Sequence, residues 1–237
     1  MSEIFFCSQC IVSMLFFSFR KLYLDDLWQL TGILRLSVKY QVNYVTEFAV
    51  SALCEAYPTT LSLYDAYRGS RPKCGDVIKL AHEIGIRNVL PCAYYELCRY
   101  PMRIVSTLDL PDRVLEDFHR GRDHLASRLA MFIESQIHDG SSILADCKLP
   151  HACADEWRHL NMEAKKMLLK PGSMMGFLPL SIMGTMVTLP YADSMCCTCR
   201  KRLRDAVEVE REKVWTSLSG VFNLGTWGYV KDSEGLS

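Results

Sequence analysis

The sequence predicts an all-α protein assembled from short amphipathic helices paired in hairpins. Three observations carry that expectation. Apolar residues between positions 27 and 140 recur at three- and four-residue spacing, and alternation at period two is almost absent. Proline, glycine or a capping side chain punctuates each run. Amphipathic stripes of this kind bury themselves only against one another, so helix packed on helix is the architecture to expect.

The first stripe is Leu27, Leu30, Ile33, Leu34 and Tyr40, with Arg35 and Lys39 on the opposite side and a tight turn at its end. Asn43 is the expected N-cap of a second helix whose apolar face holds Tyr44, Val45, Phe48, Ala49, Ala52, Leu53 and Ala56. Pro58 ends that helix, because the residue before a proline is driven out of the helical region. Thr59 or Thr60 then caps a short helix reaching Tyr67, and residues 68–72 form a turn-rich loop. Val77, Leu80, Ala81 and Ile84 make the next stripe, closed by Gly85. Asn88 starts a helix with Pro91 in its first turn, where a missing N–H does no harm, and Leu90, Ala93, Tyr94 and Leu97 on one face. Pro111 opens a segment with Val114, Leu115 and Phe118, and a longer helix follows with Leu125, Leu129, Phe132 and Ile133 inward.

After Gly140 the character changes. Residues 147–153 read as a compact loop, followed by a helix with Trp157, Leu160, Ala164, Met167 and Leu168 on its apolar side. Residues 171–192 carry no charge, but Gly176, Pro179 and Gly184 interrupt them, so a buried or loosely ordered connector is expected rather than a membrane span. Cys196-Cys197-Thr198-Cys199 then opens a charged helix with Leu203, Val207, Val214 and Leu218 inward. The expected organisation is an apolar segment over 1–26, a helical body over 27–140 and a cysteine-containing helical subdomain over 141–237.

Composition narrows the function classes. Lys+Arg and Asp+Glu are both 27, so net charge gives no reason to expect nucleic acid or an acidic membrane as a partner. A hydrophobic content of 49% fits a folded core. The eleven cysteines are odd in number and unevenly spaced, and several fall on helical stripes where a thiol acts as a small apolar group. That pattern is unlike a secreted disulfide scaffold and points to a reducing intracellular compartment, cytoplasm or nucleus. The uncharged run Ile4–Phe19 has Glu3 before it and Arg20-Lys21 after it, the reverse of a signal peptide. Its sixteen residues fall short of the roughly 20 that span a bilayer. Cys7-x-x-Cys10 inside the run has no second pair to complete a metal site.

Several blocks occur in a specific order. Leu34-Arg35-Leu36-Ser37-Val38-Lys39-Tyr40-Gln41-Val42 comes first, then Tyr57-Pro58-Thr59-Thr60-Leu61. Residues 76–81 and 89–94 follow, the latter Val89-Leu90-Pro91-Cys92-Ala93-Tyr94. Arg211, Trp215, Leu218, Phe222, Leu224 and Trp227 close the series, with Ser219 where the related pattern has proline. Together they resemble the last helices of a BTB/POZ domain and the BACK-like helical region after it, as found in large families of basidiomycete fungal proteins. The resemblance implies a protein–protein interaction module, in some families an adaptor for cullin-type ubiquitin ligases, and no activity beyond interaction. Nothing before Leu27 resembles the strand-rich half that builds the BTB dimer interface, so homodimerisation is not carried over.

The sharpest chemical expectation is one structural zinc held by Cys147, Cys153, Cys196 and Cys199, with His151 or Cys197 as substitutes for one member. Two cysteine pairs on separate segments, one of them with two intervening residues, suit a tetrahedral ion. Unligated thiols acting as small buried groups are the alternative. A redox role for Cys196-x-x-Cys199 fits a helix N-terminus but lacks the βαβ setting of such motifs. His119, His124, His138, His151 and His159 come with no nucleophile elbow or zinc-protease pair, and His82 reads as a surface histidine. Arg120-Gly121-Arg122 and the cluster Lys201, Arg202 and Arg204 read as solvated helix faces. Tyr64, Tyr67, Tyr94 and Tyr95 are candidate partner anchors or core residues. The sequence therefore points to a non-catalytic interaction module with a protein partner. A zinc-stabilised nuclear factor touching nucleic acid through its final basic helix is the alternative.

Overall fold

A computed structural model describes residues 27–225 apart from 69, 70, 72, 144, 145 and 170–176. The Ile4–Phe19 run, Cys7-x-x-Cys10, part of the 68–72 loop and Trp227 lie outside the described residues. Everything regular in the described chain is helical, and no strand occurs among those residues. The chain divides into two compact units between Ala93 and Tyr94.

The first unit holds α1 (Leu27–Lys39), α2 (Asn43–Ala56), α3 (Leu61–Ala66) and α4 (Cys74–Ile84), with α1 packed on α2 and on α4. Leu30 and Leu34 are buried as expected, together with Ala49, Ala52, Leu53 and Ala56. The corner after α1 turns through Gln41, which takes a left-handed φ of 54°. The Val42 N–H there donates to the Ser37 carbonyl at 2.8 Å. This turn delivers the chain into α2 one residue earlier than expected, so Asn43 is its first helical residue and Val42 takes the cap position. Tyr40 and Tyr44, expected on the apolar faces, are each 66% exposed, because the corner swings both away from the α1–α2 seam. Inside the seam the buried Thr46 hydroxyl donates to Ser37 Oγ at 2.8 Å, and Ser37 Oγ donates to the Leu34 carbonyl at 3.0 Å. A buried polar pair is tolerated when each member is hydrogen-bonded in this way.

Thr60 caps α3, its Oγ1 accepting from the Leu63 N–H at 3.4 Å. Arg71 binds α3 to the end of α2. Its Nε donates to the Ala56 carbonyl at 2.9 Å and its Nη2 to the Tyr64 carbonyl at 3.2 Å. The guanidinium also lies over the rings of Tyr64 and Tyr67, at 4.5 and 4.8 Å from their centroids. Gly85 closes α4 with φ 79°, a conformation that an L side chain resists.

α5 (Leu90–Leu97) contains the division between the units. Every residue from 88 to 98 is buried, so this helix is covered all round rather than on the single face the spacing suggested. Tyr94 and Tyr95 are wholly buried and Tyr64 nearly so, which makes them core residues rather than partner anchors.

The second unit continues with α6 (Met102–Val105), α7 (Asp112–Ile143), α8 (Pro150–Leu169), α9 (Pro179–Met186), α10 (Pro190–Ser194) and α11 (Cys197–Val221). α7 packs on α8 and α11; α9 touches all three, and α10 touches α8 and α11. The two segments expected after Pro111 are one helix, because Gly121 does not interrupt it. The missing side chain instead makes room for Phe222: a Cβ there would lie 2.2 Å from the Phe222 Cδ1. Phe222 is wholly buried, with the Tyr94 ring 5.1 Å away. Arg128 joins α7 to α11 through Glu210 at 2.9 Å. In the charge-free stretch, Leu178, Leu180, Ile182, Met183 and Met186 are buried, so its described part is a helix in the core rather than a simple connector. Among the described residues no helix is long and apolar enough to cross a membrane.

Candidate metal centre

Two helix starts make the site. α8 begins at Pro150, a residue suited to the first helical position because its missing N–H would have no intrahelical partner. The expected 147–153 loop is therefore shorter than it read: His151 and Cys153 lie in the opening turn of α8, and Cys147 precedes it. α11 begins after Cys196, an N-cap in extended conformation, and places Cys199 in its first turn. Each segment thus supplies one cysteine from non-helical backbone and one from the first turn of a helix. α10, which precedes Cys196 in the chain, packs on both α8 and α11, and Ala192 and Met195 are buried.

The sulfurs of Cys147, Cys153, Cys196 and Cys199 all lie within 4.8 Å of one another. The described cysteines form no disulfide. Cys147 Sγ and Cys196 Sγ are 3.5 Å apart. The Cys196 N–H donates to Cys153 Sγ at 3.3 Å, and the Leu149 N–H donates to Cys147 Sγ at 3.4 Å. Metal–sulfur bonds of about 2.3 Å in tetrahedral geometry put sulfurs roughly 3.8 Å apart. The set is therefore sized for one ion and can hold one.

Burial divides the four. Cys153 and Cys199 are 2% and 1% exposed, whereas Cys147 and Cys196 are only partly covered. The Cys199 backbone N–H, at the start of α11, holds the Cys196 thiol down at about 6. Burial pushes the Cys153 and Cys199 thiols up. A metal cation reverses that penalty, since it binds thiolates and displaces their protons.

His151 and Cys197, expected as substitutes, are both exposed and neither joins the group. His82, His119, His124 and His159 also lie exposed on helix surfaces. Of the basic clusters, Arg120 pairs with Asp117 at 3.2 Å, but Arg122 is buried with its guanidinium 3.7 Å from the Phe177 ring centroid. The 120–122 run is therefore not one solvated face. The sequence offered no signal for the burial of Arg122, because a short basic cluster with acids nearby reads as a solvated helix face.

Four protein thiols close a tetrahedral shell, whereas catalytic zinc sites keep a position open for water or substrate. The arrangement can hold one metal ion through four sulfurs. Comparison of the chain with family models, with curated proteins and with solved structures returns no match.

Proposed function

We propose that this chain is a non-catalytic helical interaction module whose second unit is fastened by one structural zinc ion. The observation that carries the proposal is the convergence of Cys147, Cys153, Cys196 and Cys199 from two segments of the chain. Thiolate is a soft ligand, and four of them in a tetrahedral set select zinc over magnesium, calcium or manganese. The ion ties the start of α8 to the start of α11, and α11 carries Val214, Trp215 and Leu218 into the core. The role in protein recognition rests on the ordered sequence blocks over 27–227 and their resemblance to the helical end of BTB/POZ proteins. Protein purified from cells is expected to carry about one zinc per chain, lost on Cys199→Ser substitution. Metal-free protein that binds neither zinc nor cobalt sends the proposal back to four unligated thiols. A protein partner is tested by cross-linking and affinity capture with the full chain, with capture expected to survive raised salt.

The nucleic-acid alternative has weaker support. On α11, Arg200 pairs with Asp193 at 3.3 Å, Lys201 with Asp205 at 3.7 Å and Arg202 with Asp146 at 2.8 Å. Cations already facing carboxylates release few counterions on binding phosphate. A steep fall of DNA or RNA binding with salt would favour that alternative.

A further inference from the structure

The four sulfurs are not equivalent. Cys153 and Cys199 are buried and sit in helical turns, so both their access and their backbone are restricted. Cys147 and Cys196 are partly exposed, and both lie in non-helical backbone, one in the turn before α8 and one at the cap of α11. Their sulfurs, 3.5 Å apart, need to close by roughly 1.5 Å to reach disulfide length. Non-helical segments can supply such a movement without breaking a helix.

We propose that the metal centre is a peroxide-sensitive latch in which Cys147 and Cys196 form a disulfide and release the ion. This rests on the reading of the site as a zinc centre. One of the two partly exposed thiolates attacks hydrogen peroxide, breaking the O–O bond; its sulfur becomes a sulfenic acid and hydroxide leaves. The second thiolate attacks that sulfur, the S–S bond forms and a second hydroxide leaves. Two protons from solvent convert the hydroxides to two waters. The pair of sulfurs loses two electrons and the peroxide gains them. Zinc then keeps only Cys153 and Cys199, too few protein ligands for a closed site, and dissociates. A dithiol reductant reverses the oxidation by exchange, and zinc rebinds.

The same geometry separates this pair from its neighbour in sequence. Cys197 is exposed, lies outside the four-sulfur group and has its sulfur 4.0 Å from Thr198 Oγ1. It is the residue to remove before testing the latch, since it offers a competing thiol without contributing to the ion's shell.

The experiment uses the full chain carrying Cys197→Ser, with zinc content measured first. Absence of zinc, or of cobalt binding with thiolate-to-metal absorption, defeats the reading of the site as a zinc centre before any peroxide is added. With zinc present, hydrogen peroxide is added and free zinc is followed with a chromophoric chelator. The expected result is release of about one zinc per chain together with loss of two thiols. Peptide mapping should show a Cys147–Cys196 linkage, and a dithiol should restore zinc binding. Three results would overturn the latch alone: zinc retained while Cys147 and Cys196 stay reduced, zinc released with sulfinic acids that no thiol reverses, or a disulfide joining a different pair.

Discussion

Replacing Gly121 by alanine should destabilise the second unit, and the structure allows the size of the effect to be worked out. The new Cβ would stand 2.2 Å from Phe222 Cδ1, 2.3 Å from Cε1 and 3.1 Å from Cγ. Unstrained carbon contacts lie at about 3.5–4.0 Å, so ring and helix must separate by more than roughly 1 Å. Phe222 is wholly buried and Tyr94 backs it at 5.1 Å, which leaves no easy direction for retreat. Overpacking costs about 1–3 kcal/mol, and an approach of 2.2 Å to a wholly buried ring belongs at the upper end, about 2–3 kcal/mol. Alanine recovers about 1 kcal/mol through helix propensity, leaving a net loss of about 1–2 kcal/mol. For a chain of this size that corresponds to a fall of about 2–8 °C in melting temperature. Gly220→Ala is the control, because its Cβ would meet nothing within 4 Å, and it should hold or raise stability. Gly121→Ala combined with Phe222→Leu should lose less than the two single losses added. Thermal melts followed by circular dichroism, with urea titrations as a second measure, decide the matter. A Gly121→Ala melting temperature equal to or above the parent would refute the packing argument.

Other expectations can be checked in the same way. Arg71→Lys keeps the charge but loses the planar fork that reaches Ala56 and Tyr64, and should cost about 1–2 kcal/mol in urea unfolding. Arg128→Met takes away the 2.9 Å partner of the Glu210 carboxylate, 16% exposed, and leaves it Lys213 at 3.6 Å; it should be destabilising, while adding Glu210→Met should recover part of the loss in a double-mutant cycle. Removing the ion with a chelator should speed hydrogen exchange in the first turns of α8 and α11 more than in α7, as mass spectrometry can read. In metal-free protein one thiol should ionise near pH 6, seen as thiolate absorbance that Cys196→Ser abolishes. Because that thiol is depressed on folding, its contribution to stability is complete above the ordinary thiol range and fades as pH falls through about 6.

Long periodic segments were legible from the residues alone. Leu30, Leu34, Val77, Leu80, Leu125 and Leu129 are buried where their spacing put them, and the all-helical class follows from those stripes. The convergence of Cys147, Cys153, Cys196 and Cys199 was legible too, since two pairs on separate segments implied it. What sequence could not show is where tertiary contact overrides a local rule. The missing side chain of Gly121 has no explanation in the local sequence; Phe222, a hundred residues later, supplies it. Asn43 reads as a cap until Gln41 turns left-handed and moves the helix start. Tyr40 and Tyr44 keep helical spacing but face outward, because a period fixes which residues share a face and leaves open which face is covered.

The spacing of the cysteines along the chain has a consequence for when the centre can come together. Cys147 and Cys196 are 49 positions apart, and everything from α8 to α10 lies between them. During synthesis the first pair waits, able to hold an ion only loosely, until the second pair emerges. Once all four sulfurs share one ion, they close a loop whose tethering restricts the unfolded chain by about 4 kcal/mol on the scale used for covalent cross-links. On the zinc reading proposed above, ion capture is a late step in maturation, and a cell short of the metal would accumulate chains in which the starts of α8 and α11 lack that tie.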